Sequence, residues 1–135
     1  MHKLSENYKA LQLIVPKSIT ATETGTGVDV EAYEGDAMAI FSAGSLAGTT
    51  ETNICTIETS VIGDFTDAVV AVTFGTLTGS SGDNKMGSGG FKLDPKVKKV
   101  RAIVTKDSTG AALVSVVLLV ESQAGGSTLN STTPA

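Results

Sequence analysis

The segment Val97-Lys98-Lys99-Val100-Arg101-Ala102-Ile103-Val104-Thr105, followed by the turn-forming Lys106 to Gly110 and then by Leu113-Val114-Ser115-Val116-Val117-Leu118-Leu119-Val120-Glu121, decides the fold class. In its first part Val100, Ala102 and Val104 alternate with Lys99, Arg101 and Ile103, a period of two that belongs to a strand with one face turned inward. The second part is apolar on both faces and is read as a strand lying centrally in a sheet. Working outward, the same period recurs at Val28, Val30 and Ala32 against Asp29, Glu31 and Tyr33, and in Asn53 to Ser60, where Cys55 and Ile57 oppose Ile54. Threonine and other β-branched residues crowd these pieces and Ala68 to Leu77, and such side chains suit a pleated surface.

Punctuation falls between them. Leu11 to Val15 runs into Pro16, which marks a strand end, an edge or a bend because proline cannot donate to a ladder. Glu23 to Gly27 reads as a turn, Glu34 to Asp36 as the next, and Ala37 to Ala43 as a mostly apolar strand. Gly79, Gly82, Gly87, Gly89 and Gly90, set among serines and polar residues, make Thr78 to Gly90 read as a long mobile loop. About eight strands at spacings of roughly 8 to 12 residues, with weak helical periodicity, predict an all-β, antiparallel β-sandwich, jelly-roll-like. The expected organisation is an N-terminal arm over residues 1–9, one sandwich domain over 10–123 and a flexible C-terminal tail over 124–135.

The chain has 135 residues, 41% hydrophobic and 18% charged, with a net charge of -4, one histidine, one cysteine and no tryptophan. A phosphate-binding face has to be basic, so this balance argues against nucleic acid as the main partner. Met1 to Ala10 holds no apolar core of a secretory signal. Ala111 to Val120 is far shorter than the ~20 residues of a spanning helix, so no membrane partner is expected. His2 and Cys55 cannot build a histidine triad, a zinc cluster or a disulfide framework, and the expectation is a protein that is not an enzyme, with no catalytic, metal or cofactor residues.

The glycine-rich segment lacks the Gly-Lys-Ser/Thr ending of a nucleotide loop. Asp29, Glu31, Glu34 and Asp36 are read as a solvated edge rather than a calcium site, since calcium loops gather more oxygens in a compact turn. The four phenylalanines are assigned to the core, and Cys55 to an inert buried position. Asn130-Ser131-Thr132 matches a glycosylation acceptor without a secretion signal to give it meaning. Lys96, Lys98, Lys99 and Arg101, with Lys92 nearby, form the single basic cluster, either ordinary solubilising charges or a face that docks on acidic protein.

Four stretches carry a likeness to known proteins: Leu4-Ser5-Glu6-Asn7-Tyr8-Lys9-Ala10 leading into Pro16 and Ser18-Ile19-Thr20-Ala21-Thr22; Gly25-Thr26-Gly27-Val28-Asp29-Val30; Thr56-Ile57-Glu58-Thr59-Ser60 followed by Phe65; and Val100-Arg101-Ala102-Ile103-Val104. In these the chain resembles the decoration or cement proteins of tailed-bacteriophage heads. The resemblance implies a non-enzymatic virion protein on the outer surface of the capsid, with the major capsid protein as partner and self-association, for instance as a trimer. Interface residues expected on this reading are Lys3, Leu4 and Tyr8 of the arm and Lys96, Lys98, Lys99 and Arg101. The alternative is a ligand- or carbohydrate-binding β-sandwich module of a fibre or surface protein, against which the shortage of aromatics counts.

Overall fold

The computed structural model describes residues 8–122, which build two antiparallel sheets packed face to face. The strands are β1 (Tyr8–Ile19), β2 (Glu23–Thr24), β3 (Val28–Asp29), β4 (Tyr33–Leu46), β5 (Thr52–Ser60), β6 (Val69–Thr73), β7 (Leu77–Thr78), β8 (Met86–Leu93), β9 (Lys99–Lys106) and β10 (Ala112–Ser122), with one 3-10 turn at Gly79–Gly82. One sheet has the order β1-β10-β4-β8 and the other β2-β9-β5-β6, with β3 also on β9 and β7 on β5. The pairs are nested along the chain: β5 with β6, β4 with β8, β2 and β3 with β9, and β1 with β10. A long hairpin rolled up in this way is a jelly roll, as the strand spacing predicts.

Alternation along each strand fills the space between the sheets. Ala112, Val114, Val116, Leu118 and Val120 of β10 are buried, as are Val100, Ala102 and Val104 of β9, Cys55 and Ile57 of β5, and Ala37, Ala39, Phe41 and Ala43 of β4. The alanines of β4 add little volume, so Phe41 fills more of that side, its ring 5.8 Å from that of Phe74 in a tilted pair. Buried Asn53 is not left unpaired, because Lys106 Nζ donates to its Oδ1 at 2.9 Å.

Three expectations need correction. Strand β1 already contains Tyr8 and Lys9, paired with Glu121 and Val120, so it starts inside the segment read as an arm; residues 1–7 and the tail 124–135 lie outside the described residues. Pro16 takes one of the places expected for it, on the edge of the sheet, where the strand runs through it and the register shifts between Ile14 and Lys17. Glu23 to Gly27 is not a simple turn: β2 and β3 follow one another along β9, and between them Gly25 N–H donates to Ala102 O at 2.8 Å. A Cβ on Gly25 would fall 2.6 Å from Leu13 O, so glycine is needed there for close approach of the two sheets.

The third correction is the largest. The glycine-rich segment is not a long loop, for Met86–Leu93 pairs along β4 from Ser42 to Gly35. Its glycines give room to the opposite sheet, since a Cβ on Gly89 would stand 2.6 Å from Val72 Cγ1. The paired backbone and the packing of Val72 and Phe74 thus override the weak strand preference of glycine.

Because Leu118 is fully buried in the strand shared by β1 and β4, Leu118→Ala should lower unfolding free energy by about 2–5 kcal/mol. Urea denaturation followed by far-ultraviolet circular dichroism measures the loss.

Candidate functional site

Register places the expected interface residues at one end of the sandwich. That end holds the start of β1 at Tyr8, the β3–β4 connection, the β5–β6 connection, the β8–β9 connection and the end of β10. Tyr8 lies on the edge strand opposite Glu121, half exposed. Lys99 and Arg101 point outward from β9 as the alternation predicts, and Lys96 and Lys98 stand exposed in the preceding connection. Lys3 and Leu4 lie outside the described residues.

The basic cluster is countered in part by its neighbours. Arg101 Nε and Nη2 both reach Glu58 Oε1 at 2.9 Å across the β5–β9 ladder, with side chains only 24% and 17% exposed. Its guanidinium also lies 4.4 Å from the centroid of Phe65, a cation–π geometry. Lys99 faces Asp29 in the ladder, and Lys92 pairs with Asp36 at 2.9 Å in an exposed bridge that contributes little. Lys96, Lys98 and Lys99 remain as the cations of the cluster without an ion pair to another described residue.

Phe65 was expected in the core and is not there. Its ring is half-buried beneath Arg101 and against Gly27, and its backbone has φ 65°, rare for a bulky residue. Ser60 and Asp67 hold that conformation. Ser60 Oγ donates to Asp67 Oδ1 at 2.7 Å and accepts the N–H groups of Gly63 and Phe65 at 2.8 and 3.2 Å; Asp67 Oδ2 accepts those of Val61 and Ile62 at 3.0 and 3.2 Å. Carboxylates tie down loops elsewhere too: Asp64 accepts from Thr66, Asp107 from Thr52 N–H, and Asp83 from Leu46 N–H. Donors aimed at the charged form hold Asp67, Asp64 and Asp107 below the usual carboxylate range; the largest cause is the Ser60 hydroxyl for Asp67 and a backbone N–H for the other two.

A second surface escaped the sequence reading. The outer face of the β1-β10-β4-β8 sheet is arranged in rows across the strands. Tyr8, Glu121, Asp36 and Lys92 form a charged row at the terminal end. Next come Ala10, Leu119, Met38 and Gly90, then Gln12, Val117, Ile40 and Ser88, then Ser115, Ser42 and Met86, with Leu113 beyond. Past the first row the face carries no charge, and Met38, Leu113 and Met86 are 39%, 46% and 72% exposed. The signal was the two-faced apolarity of Leu113 to Glu121. It was read as central position, which holds, but a strand in a two-layer sandwich has only one face inside, and the other is uncovered.

Chemical groups are sparse. Cys55 is fully buried, and burial pushes its thiol up to about 12, which removes it as a nucleophile at neutral pH. Among the described residues no three His, Cys, Asp or Glu side chains are grouped to hold a metal ion, and no helix is long and apolar enough to cross a membrane. Of the six aromatic rings only that of Tyr8 is exposed, so no aromatic platform for a sugar forms.

The depressed carboxyl groups set an acid dependence. They stabilise the fold above the unfolded carboxylate value of about 3.9 and lose that contribution as pH falls through their lower folded values. Asp67→Ala should therefore lower the thermal midpoint at pH 7, and its deficit relative to the unaltered protein should shrink below about pH 3.9, read by melts across pH.

No described protein family and no curated protein matches the sequence. Among solved structures, a chain from the structure of infectious bursal disease virus, Gx strain, superposes with a TM-score of 0.54 at 10% identity over 84% of this chain and 32% of that one. A chain from the Gt strain of the same virus gives a TM-score of 0.47 at 9% identity, over 89% and 33%. This chain thus spans about a third of the length of those chains, and what it shares with the first is a fold, the jelly roll of a protein found in a virus structure.

Proposed function

We propose that this chain is a non-enzymatic structural protein of a virion, one that decorates and stabilises a tailed-phage capsid by binding major capsid subunits on the outer surface. The observation that carries the reading is the nested two-sheet jelly roll, shared over most of the chain with a chain of a virus structure. Fold alone does not specify function, and three features of the molecule add support. The lone cysteine is inert, the loops are fixed by hydrogen bonds to carboxylates, and the exposed surface includes an uncharged apolar sheet face. A rigid body with binding surfaces is what a protein that reinforces a shell requires.

The contact with capsid is assigned to the terminal end, where Tyr8, Lys96 and Lys98 are exposed. Arg101 is left out of it, since its guanidinium already serves Glu58 and Phe65. The carbohydrate-binding alternative lacks a supporting observation, because the aromatic side chains are spent in packing.

Co-sedimentation with undecorated capsids tests the assignment. The unaltered protein should pellet with the particles, and the double variant Lys96→Glu, Lys98→Glu should bind about three- to tenfold more weakly, with a smaller salt dependence. Failure of the unaltered protein to pellet would remove the capsid role.

A further inference from the structure

The outer face of the β1-β10-β4-β8 sheet has no cover within the described residues. Its centre is the square of Leu119, Met38, Val117 and Ile40, bordered by small or hydroxyl side chains at Ala10, Gly90, Ser88, Ser42 and Ser115. An apolar centre inside a polar rim is the anatomy of a protein interface. The flanking sequences are poor candidates to cover it, since residues 1–7 and 123–135 offer only Met1, Leu4 and Leu129 as large apolar side chains. A second copy of the same face matches it in flatness, pleat and lack of charge.

We infer that the partner is a second copy of this chain, packed sheet to sheet through the same face. The charge pattern selects the arrangement. A two-fold axis along the strands would lay the charged row on itself and bring Asp36 towards the second copy's Glu121, which repel. An axis in the sheet plane and across the strands, passing between the Leu119 and Val117 rows, instead lays each charged row over the Ser115 and Ser42 hydroxyls of the other copy. Like charges then stay apart, the four central apolar side chains meet their equivalents, and β10 lies antiparallel over β10.

Strand spacing and rise give the uncharged part of the face about 19 Å by about 24 Å, or about 450 Å² of flat area per copy. Standard interfaces bury about 800 Å² per partner, so the association is reversible and depends on concentration. An isologous contact closes at two copies, where the sequence leaves monomer and trimer both open. The inference does not rest on the capsid role, because it is read without capsids.

Sedimentation equilibrium from about 1 µM to about 1 mM tests it on the full chain. The expected result is a monomer–dimer equilibrium that Val117→Lys shifts to monomer, with an unchanged circular dichroism spectrum. Ser115→Lys, at a position that already faces water, should weaken the dimer at least tenfold and serves if Val117→Lys fails to fold. A monomer at all concentrations, a trimer, or a dimer that survives a folded variant at either position would overturn the proposal. So would loss of the dimer in Val69→Lys, Val70→Lys alone, which would move the contact to the exposed valines of β6.

Discussion

The row of inward side chains on β10 is the constraint on which the rest depends. Ala112, Val114, Val116, Leu118 and Val120 are all essentially inaccessible, and the backbone between them is bonded on one side to β1 and on the other to β4. Two of the three ladders of that sheet and a large part of the core therefore share a single eleven-residue strand. Its period of two fixes which atoms of β1 and β4 face the other sheet, since a slip of one residue would turn the apolar row outward. The outer row gives weaker protection against such a slip than usual because it too is apolar. Glu121 and Ser115 are the positions where a slip would bury polar groups, and the register shifts in β1 and β4 beside β10 absorb the irregularities of its neighbours.

Much of this was legible. The alternation at Val100, Ala102 and Val104, the opposition of Cys55 and Ile57 to Ile54, and the centrality of Leu113 to Glu121 all express the side-chain period of a strand, which is local information. What could not be read was set by distant contacts. Gly87 and Gly89 look like loop residues until Val72 and Phe74 are seen to need their space. Gly25 looks like a turn until the carbonyl of Leu13 is placed beside it. Phe65 looks like core, yet its loop is shaped by Ser60 and Asp67 and its ring is taken up by Arg101.

The candidate surfaces divide in the same way. Outward placement of Lys99 and Arg101 followed from the alternation, but Glu58, the ion-pair partner of Arg101, comes from another strand, and that pairing changes what the cluster offers to a partner. The uncovered sheet face shows the reverse case. The two-faced apolarity of its β10 residues is plain in the sequence, and their location becomes informative once the number of layers is known.

Nested pairing also sets the order in which the polypeptide assembles itself. β5 and β6 are close in sequence and pair first at small entropic cost, whereas Tyr8 waits for Glu121, across nearly the whole chain. During synthesis β4 is extruded long before β10 arrives to cover its ladder, so its apolar row is exposed while the ribosome completes the chain. The three alanines of that row limit how adhesive the waiting strand is, and the small side chains that make the finished core thin also protect the unfinished one.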